Sequence, residues 1–254
     1  MDDALIGYTG FVGSNLLSQH KFTYLYDIEN INSIVGKEFD LVVCAAAPGR
    51  KWYANQNAEE DLNSIKLLIE NIKKIYTNKF VLISTIDVYP YVYKVNEDSF
   101  IDKAKLQPYG KHRRILEEYV QTHFDSLVIR LPGIFGKGLN GNIIYDLIHK
   151  KYNFIPQDGM YQFYCLNHLW KDIQKALIND IEVLNISTEP ILLEELLKGI
   201  FNIELSSKSK IDQKPYYDMH TKYGYLWGMN NHYIYSKNEV LSEIEQYINE
   251  NYNN

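Results

Sequence analysis

Apolar residues along this chain gather into short runs at near-regular intervals. Ala4-Leu5-Ile6, Thr23 to Tyr26, Phe39 to Ala45, Lys79 to Ser84 and Ser126 to Leu131 read as strands. The last three are almost continuous apolar stretches, the pattern of parallel strands covered on both faces. Between them the period lengthens to that of a helix. Glu59 to Tyr76 places Leu62, Ile65, Leu68, Ile69 and Ile72 on one face, and Tyr109 to His123, after Pro108, does the same with Leu116, Tyr119 and Val120. Strands alternating with helices predict a doubly wound parallel α/β sheet. The short span between Asp27 and Phe39 predicts that one strand–helix step is reduced to a turn.

After Leu131 the pattern changes. A glycine-rich connection with Pro132, Gly133, Gly136, Gly138 and Gly141 leads into a helical stretch, Asn142 to Lys150, and then into short mixed elements. We expect one domain over 1–254, with a small C-terminal substrate-binding lobe assembled mainly from about 133–170 and 205–235. The tyrosines of the tail (Tyr216, Tyr217, Tyr223, Tyr225, Tyr233, Tyr235) suit stacking on sugar or base rings, or simply reflect a chain rich in tyrosine throughout.

Composition narrows the classes. With 254 residues, 46% of them hydrophobic, the chain can bury a sizeable core. A net charge of −6 without a long basic stripe argues against nucleic acid as a partner. No apolar run approaches the ~20 residues of a membrane span, so no membrane partner is expected. No basic segment precedes the first strand, which predicts no signal peptide and a cytoplasmic location. Cys44 and Cys165 lack metal-ligand spacing and read as buried free thiols, with no metal expected.

The chemistry begins at the first strand's end. Gly7-Tyr8-Thr9-Gly10-Phe11-Val12-Gly13 spaces three glycines as GxxGxxG and opens a helix at Ser14-Asn15-Leu16-Leu17. Such a turn lets backbone approach a pyrophosphate, and the helix N-terminus offers unpaired N–H groups. Three glycines can also be only a turn; their place at the head of the alternation points to a dinucleotide. Asp27, 20 residues after Gly7, ends the second strand, where an acid accepts ribose hydroxyls and favours NAD over NADP; the alternative is an ordinary turn residue. Ala45-Ala46-Ala47 fits either a small-residue wall for the cofactor or a close helix–strand contact. Arg50-Lys51 fits a diphosphate or a solvated loop.

Two further segments suggest catalysis. Leu82-Ile83-Ser84-Thr85-Ile86-Asp87-Val88-Tyr89-Pro90 ends a central strand, where open parallel sheets bind ligands. Pro108-Tyr109-Gly110-Lys111-His112-Arg113 opens a helix with Tyr109 and Arg113 on one face. A cation beside a phenol lowers its pKa, and such a tyrosine exchanges a proton with a carbinol oxygen near neutral pH. Thr85 can hold that oxygen. Glu117, a turn beyond Arg113, is expected to pair with it; Lys111 is turned to the far side; His112 reads as a surface or packing residue.

Together these segments, TGFVG, Ser84-Thr85-x-x-Val88-Tyr89 and Tyr109-x-x-x-Arg113, resemble the extended short-chain dehydrogenase/reductase family, in its NAD-dependent epimerase/dehydratase branch. The resemblance covers about the first 145 residues. It is thinner at Gln162-Phe163-Tyr164, Asn167-His168 and Val183 to Ser187, which look like substrate-side elements. It implies a Rossmann-like fold and an NAD(P)-dependent oxidoreductase or epimerase acting on a nucleotide-linked keto-sugar. Tyr109, Thr85 and Arg113 would be catalytic. Gly7, Thr9, Gly10, Phe11, Val12, Gly13, Asp27, Ala45, Ala46, Ala47, Ser84 and Pro132 would bind the cofactor, with NAD preferred to NADP. Asp87, Asn142 and Gln162 would bind substrate, and two copies would pair as a homodimer. Two departures stand out. The family carries Lys where this chain has Arg113. Its dehydratases carry two adjacent acids where this chain has Ile86-Asp87, which counts against dehydration. The alternative is a regulatory protein that binds the dinucleotide without catalysis.

Overall fold

The computed structural model describes residues 2–151, 159–203 and 215–252. Every expected apolar run forms a strand of one six-stranded sheet. The strands are β1 (Asp3–Ile6), β2 (Tyr24–Tyr26), β3 (Glu38–Cys44), β4 (Tyr76–Thr85), β5 (Ser126–Leu131) and β6 (Val183–Asn185), in the order β6-β5-β4-β3-β1-β2. The pairings from β2 through β5 are parallel. Five helices accompany it: α1 (Phe11–Gln19), α2 (Lys51–Gln56), α3 (Ala58–Ile72), α4 (Pro108–His123) and α5 (Leu169–Ile178).

The centre of the sheet explains the unbroken apolar runs. Val42, Val43, Val81, Leu127, Val128 and Ile129 are fully buried. On one side α3 lays Ile65, Leu68 and Ile72 into the same core, each contributing ~1.5–3 kcal/mol of burial. Pro108 stands at the first position of α4, where its missing N–H costs nothing. Between β2 and β3 there is only a 3₁₀ turn, Ile31–Ile34, with both isoleucines buried. The chain steps outward from β1 to β2 and returns to β3 on the other side. That reversal opens a crevice at the C-terminal ends of β1 and β3.

Two boundaries differ from expectation. α3 stops at Ile72 and β4 already starts at Tyr76, because Tyr76 and Thr77 pair with Glu38 and Phe39; these half-exposed ladder positions carry no apolar signal. The segment after Arg50, expected as a loop, forms α2. Six residues are too few to show a helical period.

The chain divides into two compact units: Met1–Pro90, Ser99–Leu131 and Asn167–Leu184, and then Tyr91–Asp98, Pro132–Leu166 and Asn185–Asn254. The second holds three small strand pairs, 93–95 with 218–219, 133–135 with 163–165, and 160–161 with 191–192. Its helices include Ile143–Ile148, Leu193–Gly199 and Lys237–Tyr252. Of the expected lobe, residues 152–158 and 205–214 lie outside the described residues. Cys44 and Cys165 are free and buried. Among the described residues no helix is long and apolar enough to cross a membrane.

Candidate active site

The three glycines of the turn have different reasons. Gly7 has φ +88°, and a Cβ there would lie 2.7 Å from the Ala45 carbonyl oxygen. A Cβ on Gly13 would lie 2.0 Å from the Gly7 oxygen, so α1 could not start against β1. These two glycines serve the chain itself. Gly10 has an ordinary φ of −76°, and its Cβ would meet only the Gly7 oxygen, at 3.3 Å. It leaves open space in front of the first turn of α1, which no side chain caps and which carries no acid. That cradle, beside unopposed N–H groups, suits a pyrophosphate. Thr9 and Gly10 are exposed, Phe11 and Val12 half-buried. The Gly7 N–H donates to the Tyr26 carbonyl at 2.7 Å, which holds Asp27 next to the turn. Asp27 accepts from Glu29 N–H at 3.0 Å, and its carboxylate also faces the Tyr8 phenol, raising that phenol's pKa. Ala45 donates to Ile6 at 2.8 Å and presses its backbone on Gly7. The alanine stretch is therefore a close backbone contact, whatever else it does.

A second group gathers at the end of β4. Thr85 caps the 3₁₀ turn Ile86–Val88, its Oγ1 accepting from Asp87 N–H at 3.2 Å. The Thr85 hydroxyl lies 3.4 Å from Asp87 Oδ2 and is near enough to the Tyr109 phenol to pull its pKa down. Lys51, first residue of α2, reaches Asp87 Oδ1 at 2.6 Å. Gly110 lets this happen: a Cβ there would lie 1.9 Å from the Asp87 carbonyl oxygen, so only glycine allows α4 to rest on the strand end. The Tyr109 N–H is received by Asn55 Oδ1 of α2 at 3.0 Å, a cap supplied from another helix.

The lowered phenol pKa expected for Tyr109 is not found. Burial pushes it above the ordinary value; Arg113 pulls down, Asp87 pushes up, Thr85 and Lys51 pull down, and burial prevails. Arg113 explains much of this. Its Nη1 donates to Asp61 Oδ2 (2.5 Å) and the Tyr109 carbonyl (3.2 Å); its Nη2 donates to Asp61 Oδ1 (2.8 Å) and the Pro48 carbonyl. All four terminal hydrogens are engaged, and only Nε–H has no partner among the described residues. The guanidinium carbon lies 4.0 Å from the centre of the Tyr109 ring, against its face. Arg113 and Asp61 are both buried. Breaking such a pair costs ~3–5 kcal/mol, so the guanidinium stays fastened to Asp61.

One other expectation for this helix is corrected as well. Glu117 does not pair with Arg113. It is fully buried and holds Arg130 (3.0 and 2.8 Å), Arg114 (2.8 Å) and the Ser84 hydroxyl (2.6 Å). The Ser84 side chain is thereby committed to α4. His112 is buried, with Nδ1 2.7 Å from Asp61 Oδ2, and Lys111 is exposed. Asp61 was missed by sequence reasoning. A signal existed: with Ile65, Leu68 and Ile72 it sits at i, i+4, i+7 and i+11, an acid on the apolar face of α3.

Pro132, Asn142 and Gln162 belong to the second unit. Asn142 caps the helix Ile143–Ile148, accepting from Tyr145 N–H at 3.0 Å and donating to Ile134 at 2.7 Å. Gln162 is buried; its amide donates to Thr188 and Met219 carbonyls and accepts from Met219 N–H. Its side chain fastens three backbone segments, which leaves it no free hydrogen for a substrate.

No family model and no curated protein matches the sequence. Solved structures do. The chain is similar to UDP-glucose 4-epimerase from Thermotoga maritima with UDP-glucose (14% identity, 98% of this chain and 97% of that one, TM-score 0.74). It is similar to dTDP-4-dehydrorhamnose reductase from Bacillus anthracis with NADP (16% identity, 98% and 97%, TM-score 0.74). A third is the dTDP-glucose 4,6-dehydratase of Streptomyces venezuelae with NAD (13% identity, 99% and 98%, TM-score 0.74). Over nearly its whole length this chain shares the Rossmann-like fold of these structures.

Proposed function

We propose that this chain is an NAD-dependent oxidoreductase or epimerase acting on a nucleotide-linked sugar, with chemistry at a carbonyl or carbinol carbon. One observation carries the reading: Gly110 seats the first turn of α4, with Tyr109, on the Asp87 backbone beside Thr85 at the C-terminal end of β4, on the sheet whose crevice carries the Gly10 cradle. Nucleotide-sugar and nicotinamide ligands in structures of the same fold support it.

The residues fit a dinucleotide at one end and depart from the family at the other. Backbone N–H groups of α1 would meet the pyrophosphate, Asp27 the ribose hydroxyls, and Ala45 to Ala47 the face of the ring system. A nicotinamide bound there supplies the acceptance and return of a hydride. Thr85 would hold the sugar oxygen, and Tyr109 would give it a proton or take one. Because burial keeps the phenol protonated at neutral pH, Tyr109 suits the donor role, and so reduction, in the first instance. Asp87 would stand at the substrate beside Thr85. The engaged Arg113 favours a second reading, a dinucleotide-binding regulator without catalysis.

Calorimetry with NAD on the natural chain and on Gly10→Val tests the cofactor site. Binding by the first, and its loss in the second at unchanged melting temperature, is expected. Equal behaviour of the two overturns the site. Turnover of nucleotide-linked 4-keto-hexoses with NADH then separates enzyme from regulator.

A further inference from the structure

Ser84 and Arg130 are ladder partners on neighbouring strands, so their side chains leave the same face of the sheet. Glu117 of α4 meets both there. It accepts from the Ser84 hydroxyl (2.6 Å) and from Arg130 Nε (3.0 Å) and Nη2 (2.8 Å), and Arg114 Nη1 joins it at 2.8 Å. The remaining arm of the Arg130 guanidinium turns to Tyr89, with Nη1 donating to the phenol oxygen at 2.6 Å. Ser84, Tyr89, Glu117 and Arg130 are all buried and all belong to the first unit. Ser84 begins, and Tyr89 ends, the stretch that carries Thr85 and Asp87. One buried ion pair thus grips both ends of that stretch, and its carboxylate rides on the helix of Tyr109.

Resting on the reading of Tyr109 and Thr85 as the groups that meet the sugar oxygen, we propose that Arg130 is a positioning residue for that chemistry. With Glu117 and Tyr89 it clamps the stretch from Ser84 to Tyr89 in register with α4.

Stability alone does not account for the clamp. A buried ion pair does little more than offset the desolvation of its own charges, and apolar residues of similar volume often fill a core equally well. What the pair supplies is direction, because a planar fork fixes its partners at set angles where a point charge cannot. Burial works against the Arg130 charge, but Glu117 and then Tyr89 outweigh it and raise its pKa. The fork is therefore charged at every working pH. The stretch it holds is weak by itself. Between its ends stands the short 3₁₀ turn Ile86–Val88, closed by Asp87 N–H to Thr85 Oγ1 at 3.2 Å and Tyr89 N–H to the Ile86 carbonyl at 3.1 Å. A slip of this turn against α4 would move Thr85 and Asp87 relative to Tyr109.

Two variants test the clamp. Tyr89→Phe removes one hydroxyl, keeps the ring and leaves the Glu117–Arg130 pair in place. Arg130→Lys keeps the charge and loses the fork. Amide hydrogen exchange of the cofactor-free protein reads the clamp without any substrate. In both variants the amides of residues 86–89 should exchange about tenfold faster or more, while those of β1 and α1 keep the rates of the natural chain. Steady-state turnover of a nucleotide-linked keto-sugar reads the consequence. There kcat should fall by about tenfold to a hundredfold, with KM and NAD affinity little changed. A clasp serving stability alone would lower the melting temperature and leave kcat of the folded protein as it was. Unchanged exchange at 86–89 in Tyr89→Phe, or full kcat in either variant, overturns the proposal. If the natural chain turns over no such sugar, the proposed function falls, and the exchange rates still decide whether the clamp holds the turn.

Discussion

At the scale of single residues, the site turns on which donors are still available. Arg113 has given its terminal hydrogens to Asp61 and to the Pro48 and Tyr109 carbonyls, whereas the Tyr109 phenol hydrogen is bound to none of them. Removing the phenol oxygen with Tyr109→Phe should lower turnover by roughly 10²–10⁴, measured on a nucleotide-linked keto-sugar with NAD affinity followed in parallel. Affinity should not move. Because the phenol titrates above its ordinary value, about 10, reductive turnover should show no basic limb from Tyr109 between neutral pH and about pH 9; a pH–rate profile checks this. Tyr109, Thr85 and Arg113 were legible in the sequence as residue types at telling distances. Asp61 was not singled out, because pairing across 52 residues is a tertiary event. Its only trace was an acid at a core-facing helical position. The direction of the Tyr109 shift was misjudged for the same reason: a neighbouring charge can be read from spacing, but burial cannot.

Among elements, what matters is how closely α4 rests on the end of β4. Gly110 makes that approach, Asn55 caps the helix from α2, and Glu117 with Arg130 and Ser84 locks its third turn to β4 and β5. Gly110→Ala must push the Asp87 carbonyl and α4 apart, since the added carbon would start 1.9 Å from that oxygen. Misplacement of about 1 Å can cost roughly 10² in rate. Steady-state kinetics should show that loss in kcat, while calorimetry finds NAD affinity little changed, because the Gly10 cradle lies at the start of α1, after a different strand. Asn55→Ala should cost ~1 kcal/mol of stability, the ordinary worth of a helix cap, read by denaturant unfolding. The long apolar strands and the two amphipathic helices were legible because burial writes a period into them. α2 was not: it is too short for a period, and it is held by contacts to α4 rather than by its own pattern.

For the whole molecule, acid is the natural probe of these buried polar groups. Asp61, with Arg113 and His112, and Asp3, with His20 and Thr23, are both held below their ordinary pKa in spite of burial. The unfolded chain therefore binds protons first as pH falls. The stability these two carboxylates contribute is fully present above about pH 4 and is lost as pH drops through their lower folded values. Denaturant midpoints measured across that range should fall steeply for the natural chain. For Asp61→Asn the midpoint should already be low at neutral pH, by ~3–5 kcal/mol of unfolding free energy, and the acid slope should flatten. The turn at Ile31–Ile34 bears on a different property, the time a dinucleotide stays on the protein. Where a complete strand–helix step would wall the crevice, this chain offers one 3₁₀ turn, and Ile28, directly after Asp27, is 86% exposed. A nucleotide gripped by its pyrophosphate but unwalled at its adenine end should come and go between turnovers. It would be a consumed co-substrate replenished from a shared pool, and the protein should purify without it.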